Sequence, residues 1–253
     1  MRTVRRALVL AALSALVVAA APTAQGQTPT VTSVIGSADG LTAALVIEPD
    51  VGVENLNFGP EPTVTLPPDG GSVSDTVLNV NETVAGLNLS AATLRTSAEG
   101  ALGPAGFATA ESVVEELALA VVGAVSIVDA EAISATCESD LTGVRGSTTL
   151  VGASVLGETL EAEPPPNTQF EIAIDNGITA LVRVTLNGQV QNADGSLSVT
   201  AMALEIDVGA GPLSITGTLS IGPATCGVVE GEVPAPAPTP VPAPVQAQVR
   251  FTG

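Results

Sequence analysis

Two groups of residues in this chain have the types and spacing to do chemistry. Asp175-Asn176-Gly177 and Asn192-Ala193-Asp194-Gly195-Ser196 crowd carboxylate, amide and hydroxyl oxygens onto short turns, the hard-oxygen donor set that calcium prefers. The same residue types also tolerate positive φ and build ordinary hairpins, and no twelve-residue EF-hand loop surrounds them. Asp175, Asn176, Asn192 and Asp194 are therefore expected to be turn residues that gather calcium or other divalent ions only weakly; no other cofactor is expected. The second group is carboxylates: Glu115-Glu116, Asp129 with Glu131, and Glu158 with Glu161 and Glu163. A pair of such acids is the machinery of glycoside hydrolysis. Adjacent strand residues point to opposite faces, however, and the chain has few aromatic rings to hold a sugar. Solvated acids without a catalytic role are the expectation.

Other chemistries fall by composition. The chain has no histidine, which removes Ser-His-Asp and Cys-His catalysis and imidazole zinc sites. It has no lysine, since all seven basic residues are arginines, so P-loop and Schiff-base chemistry go as well. Gly209-Ala210-Gly211 lacks the third glycine of a dinucleotide fingerprint and reads as a turn. The only two cysteines are Cys137 and Cys226, 89 positions apart. In an exported chain an even count favours a disulfide, which would pin the start of the second half to the last strand; the rival reading is two buried thiols.

The elements that must position these residues read as strands. Leu41 to Ile47 is an apolar run after a turn signal at Ala38-Asp39-Gly40. In ITALVRVTLNGQVQNADGSLSVTAMALEIDV, Leu181, Arg183, Thr185 and Asn187 alternate with Val182, Val184 and Leu186. Asn187-Gly188 and Asp194-Gly195 are each expected to turn the chain. Ser198, Thr200, Met202, Leu204 and Ile206 form the next strand face, and Leu213 to Ile221 two short strands around Gly217. The segment from Ala110 to Ser134 can be drawn as a helical stripe of Val113, Leu117, Val121 and Ala124, but its β-branched density and Gly123 favour strands. An all-β fold follows, an antiparallel sandwich or barrel, with a β-solenoid between Val73 and Ala135 as the alternative architecture. With no Trp or Tyr, the core must be Val, Leu, Ile and Ala.

The compartment is written at the N-terminus. Arg2, Arg5 and Arg6 precede an uncharged apolar run from Ala7 to Ala21 and a small-residue site at Ala24-Gln25-Gly26, the layout of a secretory signal peptide. We expect residues 1–26 to be that signal, 27–229 a β-rich globular domain, and 230–253 a Pro/Ala-rich stalk and tail in which alternating Pro and Ala favour extended polyproline II. After the signal, four arginines face 26 acids, a formal charge of −22. Such a surface repels nucleic acid and anionic lipid alike, and no segment of the mature chain is expected to span a membrane.

The run ISATCESDLTGVRGSTTLVGASVLG, the earlier TLRTSAEGALGPAG and the closing GPATCGV resemble the choice-of-anchor P family, exported bacterial proteins seen mainly in actinobacteria. The matching positions are Cys137, Gly146 to Leu150, and Cys226 to Val228, and the likeness spans Leu78 to Val228. It implies a secreted or cell-surface protein with a C-terminal sorting signal. Here the chain departs from that pattern, because no apolar anchor or basic cluster follows the stalk; VRFTG resembles only the Thr-Gly of a sortase site. The expected function is a structural or adhesive role at the cell surface toward an unknown envelope or extracellular partner, with a secreted ligand- or cation-binding module as the alternative.

Overall fold

The computed structural model describes residues 29–121, 125–175 and 179–232, the side chains of Val125, Ala210 and Glu232 aside. Residues 1–26, expected to be a signal peptide, lie outside the described residues, as do Gly123, Asn176 and the tail beyond residue 232. Among the described residues, thirteen strands form two packed antiparallel sheets, a β-sandwich. Among the described residues there is no helix, and none is therefore long and apolar enough to cross a membrane.

The chain visits the sheets in three passes. Strands β1 (Pro29–Glu48) and β2 (Glu54–Thr65) open the first sheet as a hairpin. The chain then crosses to the second sheet, a meander of β3 (Gly71–Val84), β4 (Leu87–Ala101), β5 (Phe107–Val121) and β6 (Val125–Asp140). There β7 (Gly143–Val151) and the short pair β8 (Ser154–Val155) and β9 (Glu158–Thr159) run beside β6. It returns through β10 (Thr168–Asp175), β11 (Thr179–Gln191), β12 (Leu197–Ala210) and β13 (Leu213–Glu232), and β13 closes the first sheet against β1. The first sheet thus runs β10-β11-β12-β13-β1-β2. β13 continues to Glu232, paired with Pro29, so residues 230–232 belong to the sheet and not to the stalk.

Between the sheets lies the aliphatic core that the composition requires, with Leu41, Leu45, Leu87, Leu94, Leu119 and Ile133 fully buried. Strands must alternate inward and outward residues, and these do, but the phase reverses midway along most of them. In β12, Leu197, Val199 and Ala201 face inward, then Met202, Leu204, Ile206 and Val208. In β5, Ala108 to Val114 follow the even numbers inward and Leu117 to Val121 the odd. Pairing register aligns these reversals into one seam per sheet. One passes through Asn187, Ala201, Gly222 and Gly40, the other through Asn79, Ala92, Glu116, Glu131 and Gly152. On alternate strands the seam residue is left-handed: Asn187 at φ 48°, Gly222 at 65°, Asn79 at 57°, Glu116 at 51° and Gly152 at 60°. A left-handed residue skips one beat of the alternation; because every neighbouring strand skips at the same rung, the ladder stays in register.

The seam corrects several sequence expectations. Ala38-Asp39-Gly40 is not a turn but the middle of β1, and Asn187-Gly188 is not a hairpin but a kink inside β11. Asn and Gly suit turns because they accept positive φ; at Asn187 the sheet uses that tolerance to reverse a face. Ser198 and Thr200 sit on the outer side, opposite to Met202, Leu204 and Ile206. Gly217 does not divide two strands. It lies within β13 at φ 141°, where a Cβ would come within 2.2 Å of the Ala44 carbonyl oxygen. The hairpin at Asp194-Gly195 and the strands across Ala110–Ser134 form as expected, and a sandwich, not a solenoid, results.

Candidate functional site

The motifs that carried the family resemblance converge on one place. Cys137 in β6 and Cys226 in β13 are joined as a disulfide with Cα atoms 5.5 Å apart, both sulfurs fully buried, so the bond staples one sheet to the other. Gly146 is the β7 partner of Cys137, and Leu197 the β12 partner of Cys226. A side chain at Gly146 would strike Val199 of the opposite sheet, with Cβ 2.3 Å from Cγ2, and one at Gly227 would strike Ser196 at 2.8 Å. Gly146 thus leaves room for the opposite sheet beside the staple, and Gly227 for its neighbour Ser196 within the first sheet. Next to it, Gln189 Nε2 donates to Gly146 O (2.9 Å) and to Asn187 Oδ1 (2.9 Å), while Asn187 Nδ2 donates to Pro164 O (2.9 Å). The buried seam residue therefore ties β11 to β7 and to the crossover that begins β10.

The candidate cation turns do not come together. Asp175 ends β10 and Asn192 follows β11, so the two turns sit at opposite ends of a thirteen-residue strand, roughly 40 Å apart at 3.3 Å per residue. Asn176 lies outside the described residues. In the second turn the oxygens already have partners. Asp194 Oδ1 accepts from Ser196 Oγ (2.7 Å) and Ser196 N (3.0 Å), and Asn192 Nδ2 donates to Ser196 Oγ (2.9 Å) and Ser198 Oγ (3.0 Å). The Ser196 hydroxyl and amide hold the exposed Asp194 carboxyl below its usual value. Asp140, in the β6–β7 turn, is lowered in the same way by the hydroxyl and amide of Thr142, with Arg145 adding a weaker attraction. Among the described residues, no three His, Cys, Asp or Glu side chains cluster as metal ligands would.

The paired acids also resolve into surface groups. Glu116 is the left-handed seam residue, so neither it nor Glu115 is buried, in contrast to the opposite faces expected of strand neighbours. Asp129 and Glu131 are exposed on β6, where Ser126 Oγ donates to Asp129.

What sequence reading missed are two concave surfaces at the β10 end of the first sheet. On its outer face a cavity of about 600 Å³ is crossed by a charge row on three strands. Arg183 Nε lies 3.7 Å from Glu171 Oε2, and Nη1 lies 3.3 Å from Glu205 Oε2. The second, a groove of about 540 Å³, runs along β10 between Phe170 and Ile172 on one side and Leu160 on the other, rimmed by Glu158, Glu161 and Glu171. Phe170, Ile172 and Ile174 point to the inner side and pack against the core, yet they are only half-buried. Only the register of β10, β11 and β12 brings Glu171, Arg183 and Glu205 together, and no local pattern announces it. Compared with protein-family models, with curated proteins and with solved structures, the chain matches none.

Proposed function

We propose that this protein is an exported, non-catalytic β-sandwich with a structural or adhesive role outside the cell, held away from its attachment by the Pro/Ala segment that follows β13. The observation that carries the reading is the buried Cys137–Cys226 staple between the two sheets. Structural disulfides persist in oxidising compartments, so the bond agrees with a secretory reading of residues 1–26. Support also comes from the lone-aspartate turns and ion-pair rows, which stabilise surfaces and move no protons, and from the resemblance of the stapled motifs to the choice-of-anchor P proteins. Residues 233–244, at about 3.1 Å per residue, make a spacer of roughly 37 Å.

Deleting residues 233–244 tests the spacer. Cells carrying the shortened protein should retain the folded domain, while its accessibility to an added antibody or protease drops several-fold. Equal accessibility with and without the segment would contradict the reading.

A further inference from the structure

The β10 groove is an unfinished sheet edge, and the sequence beyond residue 232 contains a segment whose pattern suits it. Unpaired edges are normally blunted by prolines, kinks or brevity. In this sandwich β2 carries Pro60 and Pro62, β3 is kinked at left-handed Asn79, β9 is two residues long, and the outer side of β7 is engaged at Leu150, whose N–H donates to the Ala162 carbonyl. β10 has eight residues, no proline and no positive-φ residue, and pairs on one side only among the described residues. Its inner row, Phe170, Ile172 and Ile174, packs against the core but is only half-buried.

Beyond the Pro/Ala segment the sequence reads VQAQVRF, in which Val245, Ala247, Val249 and Phe251 alternate with Gln246, Gln248 and Arg250. Such alternation is the pattern of a half-buried strand. Seven residues span about 23 Å, matching the length of β10. No acid follows Glu232, and Arg250 is the sole charge there, whereas the groove is rimmed by Glu158, Glu161 and Glu171. With the apolar residues turned inward over Phe170 and Ile172, Arg250 falls on the outer face, where it extends the row Glu171–Arg183–Glu205 with the charge that row requires.

We propose that the β10 edge is the docking site for the Val245–Phe251 strand of a second copy of this chain, which joins copies head to tail by β-strand addition. A second copy is favoured over the chain's own tail by distance, an argument that rests on reading residues 233–244 as an extended spacer. Thr168 of β10 shares a rung with Ile221 of β13, through Leu186 and Met202. Glu232 lies eleven residues beyond that rung on β13, about 36 Å along the strand, and a strand docked outside β10 is four strand spacings away, which adds about 19 Å. The direct path of about 41 Å already takes up the roughly 40 Å that the thirteen steps from Glu232 to Val245 span as extended polyproline II, and leaves nothing for the reversal of direction that the chain's own tail would need. A neighbour's groove carries no such constraint, and a heterologous contact of this kind builds open chains.

Light scattering on the purified full mature chain tests this, with no cells involved, so its outcome is separate from that of export and display. The mass-average mass should at least double as concentration rises, and V249D/F251D should remain at monomer mass. R250E and E171R, the latter at an exposed position, should each weaken assembly about tenfold, and mixing these two variants should restore it. Monomer mass throughout, or unchanged assembly in V249D/F251D, would overturn the proposal. So would a monomer whose β10 amides exchange more slowly than those of V249D/F251D, since its own tail would then occupy the groove.

Discussion

Single residues in this protein act by closing contacts between sheets. The Cys137–Cys226 bond encloses a loop of 89 positions, which in the chain-entropy account contributes about 4–5 kcal/mol by restricting the unfolded chain. Replacing both cysteines with alanine should lower the urea unfolding free energy by about that amount, and reductant should leave the double variant's midpoint unchanged. Asp140 and Asp194 act at the surface. Both have folded values below the ordinary 3.8, so each contributes stability that is present above that value and is lost as pH falls through the lower folded value. Acid titration of the melting temperature should therefore show a decline below pH 3.8 that is shallower in D194A and D140A, with both variants less stable at neutral pH. Because the Asn192–Ser196 oxygens are already engaged with one another, calorimetric titration with calcium should give no saturable heat.

At the scale of elements the controlling device is the seam. A strand read with unbroken period 2 places Ser198 and Met202 on one face, and the reading is right on each side of Ala201 but wrong across it. Strand type, the strands over Ala110–Ser134, the Asp194-Gly195 hairpin and the aliphatic core were legible because they depend on local alternation and turn chemistry. The seam was not, since it is fixed by four strands of one sheet and five of the other skipping together, and Asn187-Gly188 looks the same in a kink as in a hairpin. The charge row and the β10 groove were illegible for a related reason: they are products of register and of a missing partner strand. Asn187 measures the seam's energetics, because it combines a left-handed backbone with buried hydrogen bonds to Pro164, Gln189 and Thr148. Both N187G and N187A should destabilise by a few kcal/mol through lost hydrogen bonds, with alanine worse by about 1 kcal/mol for its strain at positive φ. Equal losses in denaturant unfolding would mean that the backbone conformation carries no cost.

The whole molecule is a two-sheet body with its first and last strands paired, Pro29 opposite Glu232, so residues 1–28 and 233–253 adjoin the same end of the β1–β13 pair. Its 26 acids against seven arginines give a net charge that opposes the close approach of copies. The central claim is that this body is exported, locked by its disulfide and retained outside the cell. The most direct test is the intact mass of the protein recovered separately from the cell envelope and from the medium, alkylated before reduction, with its C-terminal peptide sequenced. The account predicts a cell-surface form lacking residues 1–26, with neither cysteine alkylated, retained at the envelope through the region beyond residue 232. A form retaining residues 1–26 inside the cell, or carrying two alkylated cysteines, would contradict it.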